Sequence, residues 1–248
     1  MSRASRGFRI FGSAVKFLFF MLIFSIIFFV FWRVFSSGNP KSMERLTVNE
    51  KLSAAYEQDG KDLYMFKQNL DMITRTEYNY GYFAVTDSVF IPAANQIQIT
   101  FRYNNSTIKH VAQDKGLSEI PSREEELFDV TLLIATDLTP ENTEDNLGND
   151  PASVKLTRIH ASQVSSEQKN LYNYRRLVFN FDEIGESLAA LLESGELLAV
   201  YTDIYYLGDV NYEESPYGTL CIYDHLSTIY DVKLSGADKH ALRKYGKD

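Results

Sequence analysis

The sequence predicts a mainly β protein: an N-terminal transmembrane helix and a helical stalk, then an antiparallel β-sandwich, Ig-like or jelly-roll-like, with one short crossover helix. Three observations predict it. Phe17–Trp32 is apolar throughout except for Ser25. Beyond residue 80, apolar residues recur with period two between turn signals. One stretch near Leu188 returns to helical spacing.

The span comes first. Ala14, Val15, Val34 and Phe35 extend the apolar run past Lys16 and Arg33, so residues 14–35 read as one transmembrane signal anchor. As a helix they would measure about 33 Å at ~1.5 Å per residue, against a bilayer core of ~30 Å. Only a helix satisfies the backbone of a single span in hydrocarbon. Lys16 and Arg33 can lift their charges to the headgroups; Phe17 opens the apolar run and Trp32 falls at the interface. Residues 1–13 form a basic tail. With Arg3, Arg6, Arg9 and Lys16 and no acid, this end is expected in the cytoplasm of a single-pass cell-membrane protein, with the bulk of the chain extracytoplasmic. Arg33, Lys41 and Arg45 pull the other way, offset by Glu44 and an acidic body. The rival reading is a signal peptide cleaved near Val34-Phe35-Ser36. The run exceeds the usual ~7–15 residues and Arg33 sits at the site, so the anchor is preferred.

Charge and cysteine content bound the remainder. All 33 acids follow residue 35, with 20 bases, so this part carries a net charge of −13. Such a body is a poor nucleic-acid binder. The single cysteine, Cys221, allows no intrachain disulfide and lies in an apolar strand pattern, as a small buried hydrophobe would.

The elements follow in order. Residues 36–42 are a polar linker with Gly38 and Pro40. Residues 43–79 are expected as a helical membrane-proximal segment. Thr47-Val48-Asn49-Glu50 fits a capping box, and Leu63, Phe66, Leu70 and Ile73 repeat at helical spacing. Residues 80–235 are the expected sandwich. Its clearest strand alternates Ile97, Ile99, Phe101 and Tyr103 with Gln96, Gln98, Thr100 and Arg102. Further strands are expected at 82–91, 127–136, 154–161, 171–181, 197–207, 217–224 and 229–234. Asn104–Thr107 contains two overlapping Asn-x-Ser/Thr sequons and is read as a hairpin turn. The crossover helix has Asp182 as its cap, Ile184, Leu188, Leu191 and Leu192 as its stripe, and Gly195 as its stop. Residues 236–248 read as a basic tail with Lys239, Arg243, Lys244 and Lys247.

Candidate chemistry is sparse. The loop with Asp137, Glu141, Glu144, Asp145 and Asp150 has the oxygen density for Ca²⁺ but not the spacing of a calcium-binding loop; a solvated loop is preferred. Glu124-Glu125-Glu126 point apart and read as the start of an element. His110, His160, His225 and His240 are scattered without zinc-ligand spacing, so no metal and no cofactor is expected. His225 follows Asp224, but no Gly-x-Ser-x-Gly elbow accompanies them. Tyr201, Tyr205, Tyr206, Tyr212, Tyr217 and Tyr223 crowd one hairpin beside Asp203, Asp209, Glu213 and Glu214. Rings beside carboxylates suit a glycan- or peptide-binding face. The expectation is therefore a non-enzymatic interaction module of the cell envelope, with a protein or glycan partner. The alternatives are an envelope hydrolase using carboxylates or His225 with Asp224, and a structural subunit assembled through the transmembrane helix.

Overall fold

The computed structural model describes residues 3–36, 38–69, 73–75, 82–122, 126–137 and 154–246. The chain divides into two units, Met1–Asn39 and Pro40–Asp248.

The first unit is one helix, α1 (Arg3–Ser36). Its segment Ala14–Trp32, 19 residues, is long and apolar enough to cross a membrane, and none of it is buried. Phe17–Trp32 present bare apolar side chains, with Phe28 and Trp32 stacked at 6.2 Å between centroids. Exposure of that much apolar surface is unfavourable in water and favourable in lipid.

The second unit is mainly β, with two antiparallel sheets. The larger holds β1 (Phe66–Gln68), β2 (Ile73–Arg75), β3 (Tyr82–Ile91), β4 (Gln96–Asn104), β7 (Ala161–Lys169), β8 (Tyr172–Asn180) and β11 (Ile229–Asp231). Its order is β11-β1-β3-β4-β8-β7, with β2 also pairing β3. The smaller holds β5 (Phe128–Asp137), β6 (Val154–Ile159), β9 (Leu197–Tyr206) and β10 (Gly218–Asp224), in the order β10-β9-β5-β6. Period two sends alternate residues to one shared core. Phe83, Phe101 and Tyr103 of the larger sheet meet Phe128 of the smaller at 4.8–6.4 Å between ring centroids. Leu132, Ile134, Val200, Ile204 and Ile222 complete it.

Most expected strands stand within a residue or two of their predicted bounds. The helical stalk does not. Within 43–79, the one α-helix among the described residues is α2 (Glu50–Asp59), and Phe66–Gln68 and Ile73–Arg75 are strands. Leu63 and Phe66 match helical spacing, but Tyr64-Met65-Phe66 also suits a strand. Its partner, β11, lies more than 160 residues ahead, and Phe66 pairs with Asp231. Neighbouring residues then take opposite faces: Phe66 enters the core between the sheets, Met65 a second core outside. The cap of α2 is Asn49, whose Oδ1 accepts from Leu52 N at 2.9 Å; Thr47 is engaged elsewhere.

Three further expectations change. Asn104 is no hairpin turn; its Oδ1 caps α3 (Asn105–Asp114) by accepting from Thr107 N at 2.9 Å. The crossover helix α4 (Leu188–Ser194) does link the two sheets and stops at left-handed Gly195, φ 75°, but its cap is Ser187. Asp182 opens a 3₁₀ turn before it. The expected C-terminal tail contains α5 (Gly236–Lys244), held by a reciprocal Ser235–Asp238 capping box and by buried Leu242. The sequence signal was there: Ser-x-x-Asp before an apolar residue.

Helices α2 and α5 cover the outer face of the larger sheet. Leu52, Ala55, Leu63, Met65, Leu234 and Leu242 pack there on Val89 and Ile91. The outer face of the smaller sheet carries no such layer among the described residues.

Candidate functional site

On that uncovered face, the register of β5, β6, β9 and β10 assembles one polar cluster. Asp129 stands opposite Tyr205, and Thr131 opposite Asp203, which stands opposite Thr219 on its other side. Arg158 arrives from β6 and spans the row. Its Nη1 donates to Thr131 Oγ1 at 2.6 Å and to Asp203 Oδ2 at 3.1 Å. Thr219 Oγ1 donates to the other Asp203 oxygen at 2.8 Å. A carboxylate 5% exposed is thus held by a cation and a hydroxyl, as a buried charge requires.

Two rings close on the guanidinium. Its carbon lies 5.2 Å from the Tyr205 ring centroid and 5.1 Å from that of Tyr212. The rings meet edge to face at 5.1 Å. Tyr212 OH donates to Asp129 Oδ2 at 2.6 Å, and the His160 ring stands 5.4 Å from the Tyr212 ring. Burial, then this bond to Asp129, pushes the Tyr212 hydroxyl up to about 12, so at neutral pH it remains a donor. Burial also raises Tyr205, while Arg158 pulls it back. The base of the cluster is buried. Its rim is open: Tyr212 is 40% exposed and the His160 side chain 49%.

The expected tyrosine cluster therefore divides. Tyr205 and Tyr212 join around Arg158. Tyr206 packs against the core, its ring 2.6 Å from where a Cβ on Gly208 would stand; glycine at that turn lets the ring lie down. Tyr223 is buried against Phe66 and Phe90. Tyr201 borders a small apolar patch with Leu198 and Ala199 on the same outward face. Tyr217 reaches α3, donating to Asp114 Oδ2 at 2.6 Å. Glu213 and Glu214 join Asn211 in a local turn, Glu214 Oε1 accepting from its Nδ2 at 3.2 Å. Arg158, Asp129, Thr131 and Thr219 were not anticipated. Their signal was the alternation itself: Asp129 and Thr131 interleave with inward Val130 and Leu132.

The other expected sites fare differently. Asp224 organises the turn between β10 and β11, accepting from Leu226 N at 3.0 Å and Ser227 Oγ at 3.4 Å. His225 Nδ1 lies 3.1 Å from Leu198 O and 3.6 Å from Asp224 Oδ1, so the ring is seated on a backbone carbonyl. Gln68 fastens this turn to β1 through Asp224 O, Ser227 O and Asp224 N. Cys221 Sγ rests on Tyr223 O at 3.1 Å, and burial pushes the thiol up, away from the reactive thiolate. Of the acidic loop only Asp137 is described, at the end of β5; Glu141, Glu144, Asp145 and Asp150 lie outside the described residues, as do Glu124, Glu125 and the side chain of Arg33. No group of three or more His, Cys, Asp or Glu side chains converges among the described residues. One further cleft, about 460 Å³, is lined by Lys67, Thr86, Asp87, Ser88 and Tyr230; its charges Lys67 and Asp87 pair with each other.

No protein-family model matches this chain, and comparison with curated proteins and with solved structures returns no significant match.

Proposed function

We propose that this is a single-pass membrane protein, N-terminus in the cytoplasm, whose extracytoplasmic β-sandwich binds a protein or glycan through the Arg158–Tyr205–Tyr212 platform. One observation carries the binding reading. A guanidinium fixed by a buried carboxylate and flanked by two rings lies on the sheet face that no helix among the described residues covers. Such a platform offers the half-open Tyr212 ring, backed by buried Tyr205, with directed hydrogen bonds and little rotamer entropy to lose on binding. Arg and Tyr are also the residue types on which binding energy concentrates. Both carboxylates of the platform are already engaged, Asp203 by Arg158 and Thr219, and Asp129 by Tyr212, an arrangement that suits a fixed recognition surface. The membrane reading is supported by the bare apolar segment Ala14–Trp32, and the orientation by the bases before it and the acids after it. The sandwich reading is supported by two antiparallel sheets that share one core and exchange the chain repeatedly.

A photoreactive amino acid placed at position 212 in the native host tests the binding reading. Adducts are expected there and not at Leu226, which is more exposed at 83% and lies in the turn after β10. Equal labelling at both positions would remove the platform from the account. Protease added outside intact cells or spheroplasts tests the orientation. It should digest the 213 residues after Phe35 and leave a small fragment; a resistant full-length chain contradicts it.

A further inference from the structure

Beside the platform, β6 and β7 run as one ribbon. Val154–Ile159 forms the edge of the smaller sheet, His160 turns the corner, and Ala161–Lys169 forms the edge of the larger. Strand edges present open N–H and C=O groups, and natural proteins blunt them by shortness, bulges, proline or charge. The other edges among the described residues are blunted in these ways. Strands β2 and β11 have three residues each. Strand β10 follows Pro216 and carries a register shift between Cys221 and Tyr223. Strand β6 bears Lys155 and Arg158. Strand β7 has nine residues and no proline, its register shift lies at its very start, and Gln163–Ser166 is uncharged. Among the described residues, it pairs only with β8. Its side chains are largely exposed, Val164 at 45%. Glu167 is joined to Ser42, so charge gathers at one end only.

We infer that the partner is a polypeptide whose extended, proline-free segment adds as a strand to the open edge of β7 and carries a side chain onto the adjoining platform. This rests on the interaction reading above and names its partner class: protein rather than glycan. Main-chain hydrogen bonds to the edge supply affinity, and the platform past His160 supplies selectivity, the division of labour in strand addition. Charge selects the occupant. With Arg158 paired to Asp203, the ribbon carries Lys155 and Lys169 against the single acid Glu167, in a body of net charge −13. A neutral or acidic strand fits this edge, whereas a second copy of the acidic body would meet long-range repulsion.

The test uses the full-length chain in nanodiscs, panned against a displayed library of random peptides of about 12 residues. Enriched peptides are synthesised and their binding followed by amide exchange. Peptides poor in Lys, Arg and Pro are expected, and they should slow exchange at residues 162–166 by ~10-fold or more. Val164→Pro and Ser165→Pro supply the structural control. In an antiparallel strand, adjacent N–H groups face opposite edges, so one substitution strips the open edge and the other breaks the ladder to β8. The variant that keeps its melting temperature should lose ~10-fold or more in peptide affinity, about 1.4 kcal/mol per decade. Peptides that bind without changing β7 exchange, or that bind this variant unimpaired, overturn strand addition and leave the platform reading intact. An empty peptide selection also overturns it. The platform reading then survives only if a glycan array gives a ligand that Tyr212→Ala abolishes and the proline variant retains.

Discussion

Each sheet of this protein carries an arginine–aspartate pair on its outer face, and the two pairs meet at the same 3.1 Å. Arg176 and Asp87 are roofed over. The Arg176 side chain is 1% exposed, and its guanidinium also donates to Thr100 Oγ1 at 2.8 Å and Gln98 Oε1 at 3.3 Å. Burial pushes the pKa of this group down, and Asp87 pulls it back. The roof is the segment that follows Pro40, sewn to β4 by side chains. Gln98 accepts from Thr47 N at 2.8 Å and donates to Thr47 O at 2.9 Å, and Thr100 Oγ1 donates to Met43 O at 2.9 Å. Among the described residues no segment roofs Arg158 and Asp203, and the Arg158 side chain keeps 21% of its exposure. Similar chemistry thus serves two ends. Under the roof it joins the start of the domain to the sheet; in the open it builds a rigid surface.

Four substitutions would break or sharpen this contrast. Asp87→Ala should do most damage. It leaves Arg176 and Lys67 without their shared carboxylate, at about 3–5 kcal/mol in urea unfolding. Asp203→Ala should cost about 1.5–3 kcal/mol, because Arg158 can turn to water while Arg176 cannot. Equal losses from the two aspartates would erase the distinction between roofed and open pairs. Gln98→Ala should cost about 1–3 kcal/mol by leaving both backbone groups of Thr47 unpaired. Limited proteolysis should then cut within residues 43–49; an uncut segment would mean that Met43 and Leu46 hold the roof without it.

Tyr212→Phe should cost least, about 0.5–1.5 kcal/mol for one hydrogen bond. Its clearer readout is alkaline. A hydroxyl at about 12 in the folded chain and near 10 unfolded gives stability that is complete below pH 10 and lost as pH rises from 10 towards 12. Over that window the folded state binds more protons than the unfolded, so stability falls with pH. The variant should show a shallower alkaline loss and one fewer high-pH tyrosinate in an absorbance titration. Unchanged titration would separate Tyr212 from Asp129.

Much of the fold was legible because burial against one core imposes period two. Ile97, Ile99, Phe101 and Tyr103 mark their strand unaided, and Leu188, Leu191 and Gly195 mark α4. What was missed depended on distant partners. Gln96, Gln98 and Thr100 alternate with apolar residues as an exposed face would, yet all three are fully buried, because the segment from Met43 to Asn49 lies over them. Strand β7, Ala-Ser-Gln-Val-Ser-Ser-Glu-Gln-Lys, has no apolar alternation because neither of its faces is buried; its pairing to β8 alone makes it a strand.

The amino-acid order by itself determined the apolar run Phe17–Trp32, the asymmetry of charge around it, and the alternation that makes the remainder mainly β. These are local properties, carried by hydropathy and by the two periods of the backbone. Only the tertiary structure decided which outer face is covered, which tyrosines are core and which surround Arg158, and which strand edge is left open. Each depends on register between strands far apart in sequence, and a shift of one residue would exchange the two faces.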